Sequence, residues 1–71
     1  MAMSALIFVV EEAPEGGYTA RALGVSIFTQ AESLAELKTG VIDAVRCHFE
    51  KESERPKLVR LHLVNDEILP V

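Results

Sequence analysis

The alternation of apolar and polar residues in the first part of the chain predicts three short strands joined by tight turns. Residues 6–10 are leucine, aromatic or β-branched and are followed by polar residues, which is typical of a strand buried on both faces or nearly so. Residues 13–17 contain one proline and two glycines, the residue types that reverse a chain. A second strand is predicted over residues 18–23 and, after a reversal at Gly24, a third over residues 25–29. One face of the second strand consists of Tyr18, Ala20 and Ala22.

The spacing of apolar residues after position 33 predicts one α-helix. The segment from Ser33 to Glu36 has the form of a capping box, in which the serine bonds the first turn and the glutamate reaches back. We expect the helix to run from residue 34 to about residue 51. Its apolar stripe, expected to lie on a sheet, consists of Leu34, Leu37, Val41, Val45 and His48, widened by Ile42 and Phe49.

Three small residues are predicted to share the outer side of this helix, away from the stripe. They are Gly40, Ala44 and Cys47. A glycine inside a helix costs about 1 kcal/mol relative to alanine, so its presence suggests a purpose. Small side chains let another backbone approach closely, which indicates a contact between subunits. The alternative is a surface glycine that the helix merely tolerates.

A last strand is predicted over residues 57–64, after Pro56, which prevents the helix from continuing. Alternate residues point in opposite directions, as in a half-exposed strand, with Val59, Leu61 and Leu63 inward and Arg60 and His62 outward. Asn65 and Asp66 end the strand. Residues 68–71 form an apolar tail that we expect to fold back or to dock on a neighbouring chain.

The order of these elements, β-β-β-α-β, predicts an α+β fold with one helix packed on a mainly antiparallel four-stranded sheet. A chain of 71 residues has room for one domain, and we assign residues 1–71 to it. A core of this size is marginal without a partner, which favours a homo-oligomer, a dimer or a tetramer.

Charge and cysteine content narrow the classes of partner and compartment. The formal net charge is −4, from 7 Lys/Arg and 11 Asp/Glu, which disfavours direct nucleic-acid binding and favours basic protein partners. Cys47 is the single cysteine, which excludes an internal disulfide and makes a reducing cytoplasm the expected compartment. The longest apolar run, residues 5–10, is too short to cross a bilayer, so we expect no membrane span.

No combination of residues in the sequence indicates an enzyme, a metal site or a cofactor site. Cys47 and His48 are consecutive in the predicted helix and diverge by about 100°, so they cannot form a catalytic pair. His62, on another element, is the remaining partner for the thiol. Glu11, Glu12 and Asp66 are the acids available to a metal-dependent nuclease, which is the least favoured hypothesis.

Two short motifs resemble the HicB-like family of antitoxins. In that family a strand leads through an acidic turn into Gly-Gly-Tyr-x-Ala, a later Thr-Gln ends a strand, and Ser/Thr-Leu-x-Glu opens the helix. Residues 11–20 and 28–36 have the same order and spacing here, and the similarity covers about residues 5–50. The matching residues, which by type are turn and cap residues with structural roles, are Gly16, Gly17, Tyr18, Ala20, Thr29, Gln30, Ser33 and Glu36.

The resemblance implies a partial RNase H-like domain that binds and masks a small basic mRNA-cleaving toxin of the HicA type. It implies no nuclease activity, because the matching strand lacks the carboxylate set of a working ribonuclease H. HicB antitoxins usually continue into a DNA-binding segment, and none follows residue 71, so operator binding is not expected. The leading hypothesis is therefore a non-enzymatic antitoxin-type interaction module. The alternative is a free-standing homo-oligomer of the same fold with an unknown ligand or partner and no toxin.

Overall fold

The computed structural model describes residues 4–64 and 69–71, and its elements follow the predicted order. The four strands are β1 (Ala5–Glu12), β2 (Tyr18–Ala22), β3 (Phe28–Ala31) and β4 (Leu58–Val64). The helix α1 spans Leu34–His48, and a short 3₁₀ turn follows at Glu52–Glu54. The predicted strand end at Asn65 and Asp66, and the start of the apolar tail at Ile68, lie outside the described residues.

The four strands form one sheet in the order β3-β2-β1-β4. β2 is antiparallel to both β1 and β3, whereas β4 is parallel to β1. β3 and β4 therefore run in the same direction at opposite edges, and the chain between them has to cross the sheet. α1 makes this crossing on one face. The predicted α+β fold, β-β-β-α-β with one helix on a four-stranded sheet, is confirmed.

The hydrophobic core lies between α1 and the sheet face that it covers, called here the inner face. β1 contributes its largest side chain, Phe8, which is opposite Ala22 of β2 and Leu61 of β4. The core residues are Leu6, Phe8, Val10, Ala20, Ala22, Ile27, Leu37, Val41 and Val45. The predicted inward orientation of Val59, Leu61 and Leu63 is confirmed by their pairing with Leu6, Phe8 and Val10. Leu63 is nevertheless 55% exposed, because α1 packs mainly on β3 and β2.

The prediction that β1 is buried on both faces is wrong. Leu6 and Val10, on the inner face, are 2% and 1% exposed, whereas Ile7, on the opposite face, is 38% exposed. The continuous apolar run suggested two covering layers. The structure supplies one, because its single helix lies on the inner face and no element of the described residues covers the other, called here the outer face.

β3 lies further along the chain than predicted, over Phe28–Ala31 instead of residues 25–29. Gly24 adopts a φ of +91°, and the chain then curls so that the amide of Ile27 donates to the carbonyl of Val25 at 3.0 Å. The carbonyl of Ile27 accepts from the amide of Ala22, also at 3.0 Å. The apolar residues after the glycine therefore form a turn, in which Ile27 is buried at the end of the core.

Side chains cap both ends of α1. Ser33 Oγ accepts a hydrogen bond from the Glu36 amide at 3.1 Å, which confirms the predicted N-cap. At the other end the helix stops at His48 and not near residue 51. Arg55 caps this end: its Nε donates to the Phe49 carbonyl at 2.8 Å, and its Nη2 donates to the carbonyls of Arg46 at 3.3 Å and Glu50 at 3.4 Å. In the described part of the chain, no helix has the length and hydrophobicity needed to span a membrane.

The buried side of α1 is narrower than the predicted apolar stripe. Its buried residues are Leu37, Val41 and Val45. Ile42 is 42% exposed and does not widen the stripe. His48, predicted to lie on the stripe, is exposed, and its ring meets Phe49 edge-on with the centroids 4.7 Å apart. Leu34 and Phe49, which were also predicted to belong to the stripe, are half-buried and pack against the core.

The small residues of α1 do not all lie on an outer side. Gly40 is half-buried, and a Cβ atom placed on it would lie 3.3 Å from Oγ1 of Thr29 in β3. Ala44 is also half-buried and packs against the core, whereas Cys47 is exposed. The predicted outward orientation of Gly40 and Ala44 is therefore wrong, because both let α1 approach the sheet. A subunit contact on this side of the helix stays a prediction. Of the three small residues, Cys47 is the exposed one and could take part in it.

We expect Arg55→Ala to lower the free energy of unfolding by about 2 kcal/mol, because three carbonyls at the end of α1 lose a charged donor. Urea denaturation followed by circular dichroism measures the change. Arg21→Ala, which removes an exposed arginine from β2, is the matched control and should stay within about 0.5 kcal/mol of the parent. Equal losses in the two variants would show that Arg55 is not a cap.

We expect Gly40→Leu to destabilise the folded chain by about 1–3 kcal/mol, because the added side chain is forced against Thr29. Asp43→Leu adds a leucine at an exposed position of the same helix and should leave the unfolding temperature nearly unchanged. Thermal unfolding and molar mass by light scattering are measured on both. A drop in molar mass for Gly40→Leu without a loss of stability would instead support the subunit contact.

Candidate functional site

The loop between β1 and β2 is fixed by its own backbone hydrogen bonds. The amide of Gly16 donates to the carbonyl of Ala13 at 3.0 Å, and the amide of Ala13 donates to the carbonyl of Gly17 at 2.9 Å. Pro14 follows Ala13, at the position of a turn where its fixed φ is favourable. Gly16 and Gly17 adopt φ values of +101° and +84°, a backbone conformation that residues with a side chain rarely adopt.

Gly17 also brings the loop against the end of β3. A Cβ atom on Gly17 would lie 2.8 Å from the carbonyl oxygen of Ala31, closer than non-bonded atoms allow. Beyond the loop, Tyr18 pairs with Ala31 and Thr19 with Gln30. The two motifs of the sequence, separated along the chain, are therefore neighbours in the sheet.

A groove of about 360 Å³ lies where the loop meets the end of β3; we call it the motif groove. Its lining residues are Ala13, Glu15, Gly16, Gly17, Tyr18, Thr19, Gln30, Ala31 and Glu32. Four of the predicted motif residues meet there, namely Gly16, Gly17, Tyr18 and Gln30. The charged residues of the lining are both acidic, Glu15 and Glu32, and both are exposed. The motif groove therefore presents negative charge and suits a cationic group.

The other motif residues support the helix. Ala20 is fully buried on the inner face, and Thr29, its partner in the neighbouring strand, lies against Gly40. Ser33 caps α1 through the bond to the Glu36 amide. The hydrogen bonds of this described segment do not include the expected return bond from the Glu36 side chain. The structure thus separates the motif into a groove-lining part and a helix-supporting part.

The structure does not bring together the residues of the candidate catalytic sets. Glu11 and Glu12 are successive residues of β1, so their side chains point to opposite faces of the sheet. Their proposed companion, Asp66, lies outside the described residues. Cys47 is on the helix over the inner face, whereas His62 pairs with Val9 on the outer face. Within residues 4–64 and 69–71, no three His, Cys, Asp or Glu side chains cluster closely enough to hold a metal ion.

The outer face of the sheet is a second surface, which sequence reasoning missed because β1 was predicted to be covered on both sides. One row across all four strands consists of His62, Val9, Arg21 and Phe28. Phe28 is 62% exposed, and Leu23, just beyond β2, is 48% exposed. A shallow depression of about 250 Å³ lies beside this row, lined by Ile7, Val9, Leu23, Arg60, Leu61 and His62. The outer face is therefore mixed, with exposed apolar side chains beside Arg21, Arg60 and His62.

Comparison with known proteins finds relatives of similar length. The chain is 72% identical over 53 residues to a protein of Archaeoglobus fulgidus named "UPF0150 protein", a match that covers 75% of this chain and 77% of that protein. It is 36% identical over 66 residues to a "UPF0150 protein" of Thermotoga maritima, covering 93% of this chain and 91% of that protein. No family model matches the chain. No solved structure matches it either.

We expect Gly17→Ala to destabilise the protein by more than about 2 kcal/mol, because it combines an unfavourable φ with a clash against the Ala31 carbonyl. Gly16→Ala is the matched control, since its φ is also positive but no atom lies within 4 Å of the added Cβ. Its loss should be only about 1 kcal/mol. Equal losses by thermal unfolding would contradict the tight approach of the loop to β3.

Proposed function

The chain belongs to the UPF0150 family, and from that premise we propose that it is a non-enzymatic, HicB-like interaction module that binds a small basic protein of the HicA type and masks its mRNA-cleaving surface. The resemblance of the two motifs to HicB antitoxins supports this proposal. So does the meeting of both motifs at a single concave surface, the motif groove.

The observation that carries the proposal is the charge of the motif groove. Glu15 and Glu32 lie on its wall, and its lining contains no lysine or arginine. A protein that cleaves mRNA needs cationic side chains to hold phosphate groups. A lysine or arginine of that protein seated between the two carboxylates would form charge-assisted hydrogen bonds and would no longer be available to RNA. The charge of the motif groove therefore supports masking by competition for the toxin's cationic side chains.

The overall charge supports the encounter of the two proteins. The chain carries a formal net charge of −4, so it attracts a basic partner electrostatically. Dissolved salt screens this attraction and shortens the distance over which it acts. Complementary charge acts mainly on the association rate and on the choice of partner.

A homo-oligomer without a toxin is the second candidate. It is favoured by large apolar side chains exposed on the outer face, where Phe28 is 62% and Leu58 53% exposed. Exposed apolar surface of this kind marks a surface that another protein covers. In this candidate the protein acts as a self-assembled unit that binds a ligand or partner other than a toxin.

We expect Glu15→Gln/Glu32→Gln to weaken binding of a co-expressed HicA-type toxin about tenfold, mainly through a slower association rate, because the groove loses its charge. Surface plasmon resonance at two salt concentrations measures both rates, and rescue of growth arrest reports masking in cells. The double variant should also show a weaker salt dependence of association.

Glu52→Gln/Glu54→Gln is the matched control, since it removes the same charge from the exposed 3₁₀ turn, outside the motif groove. It should bind the toxin nearly as well as the parent. An equal effect of the two double variants would place the toxin elsewhere on the chain. Failure of the parent chain to copurify with the toxin or to relieve growth arrest would overturn the proposed function.

A further inference from the structure

Among the described residues, β4 is an edge strand with one unpaired side. It pairs with β1 on one side, and in the described part of the chain no strand pairs with the other. Its sequence, Leu-Val-Arg-Leu-His-Leu-Val, contains no proline or glycine to interrupt pairing. Proteins usually shorten, bend, cover or charge such an edge, because its free amides and carbonyls invite another strand. This edge has one full charge, that of Arg60, and is otherwise suited to pairing.

The backbone of β4 shows which residues would make the new pairing. The amide of Leu58 donates to the carbonyl of Ser4 at 3.3 Å, so Leu58 turns its backbone groups toward β1. In a strand, the backbone amide and carbonyl of one residue point to one neighbouring strand, and those of the next residue point to the opposite side. The residues with amide and carbonyl groups directed at the open edge are therefore Val59, Leu61 and Leu63.

We propose that a second copy of this chain pairs with β4 through these residues, antiparallel and centred on Leu61. The twofold axis then stands perpendicular to the sheet at Leu61, and the two sheets join into one of eight strands, four from each copy. Leu61 forms a hydrogen-bonded pair with Leu61 of the second copy. Val59 and Leu63 form such pairs with each other across the axis. Both helices lie on the same face of the joined sheet.

The side chains of β4 match themselves in this register. Leu58 lies opposite Val64 of the second copy on the outer face. In the single chain these two side chains are 53% and 36% exposed, and the pairing buries them against each other. Val59 lies opposite Leu63, which is 55% exposed on the inner face. Arg60 lies opposite His62 and not opposite a second arginine. Each apolar residue therefore meets an apolar residue, as an interface between identical chains requires.

Neighbouring registers are less favourable. Centring the pair on Arg60 would place two guanidinium groups directly opposite each other, which repels. Centring it on His62 would leave the start of β4 without a partner in the opposite strand. The register centred on Leu61 uses all seven residues of the strand. This symmetry about a single residue favours a second copy over an unrelated strand as the occupant of the edge.

A cysteine cross-link tests the register. In a Cys47→Ser background, Leu61→Cys should form a disulfide-linked dimer under mild oxidation, because hydrogen-bonded antiparallel pairs have Cα atoms about 5.5 Å apart. Val59→Cys in the same background is the control. Its two copies would lie four residues apart along the strands, roughly 13 Å, so it should not cross-link. Cross-linking of the Val59→Cys chain but not the Leu61→Cys chain would overturn the proposed register.

A charge exchange tests the interface without disturbing the core. His62→Arg should weaken the dimer at least tenfold in sedimentation equilibrium, because it places arginine opposite Arg60, and both side chains are exposed in the single chain. Arg60→Glu/His62→Arg should restore the dimer, since opposite charges then face each other. A parent chain that is monomeric at tens of micromolar, or a dimer unaffected by His62→Arg, would overturn the proposal. Neither result depends on whether the motif groove binds a toxin.

Discussion

A single helix has to cover a sheet that is wider than the helix itself, and the arrangement of the whole chain depends on this mismatch. The 15 residues of α1 extend about 22 Å, enough to cross from β3 toward β4, but the helix is only about 10 Å wide. It therefore shelters the centre of the inner face, around Phe8, and covers neither the C-terminal end of β4 nor the outer face. The motif groove and the open edge both lie outside its cover.

Those parts of the fold that depend on neighbours in sequence were predictable. The Ser33 cap needs only its own helix turn, and the loop at residues 13–17 closes through its own hydrogen bonds. The extent of β4 followed from its alternation. In contrast, the end of α1 is capped by Arg55, a residue beyond the helix, and the periodicity of the helix does not predict this contact. The same holds for the close approach of Gly40 to Thr29, which depends on where the sheet lies.

The candidate site was predictable only in part, for a related physical reason. The sequence predicted structural roles for Gly16, Gly17 and Gln30, as turn and strand-end residues. That they line one groove depends on the pairing of β2 with β3. Glu15 and Glu32 look like solvated loop charges in the sequence, and only their placement on the groove wall gives them a shared environment. The apolar run of β1 led to a wrong prediction of its burial, because such a run does not show whether one or two layers cover the strand.

The parallel pairing of β1 with β4 has a consequence for how the chain folds. The hairpin of β1 and β2 joins strands adjacent in sequence, whereas β4 pairs residue 58 with residue 5, across nearly the whole described chain. Local contacts form quickly, and pairings between distant residues wait on the slower closure of a long loop. During synthesis β1 therefore keeps one bare edge until α1 has been made and β4 has followed it. In that interval β1 is the part of the nascent chain most exposed to mispairing.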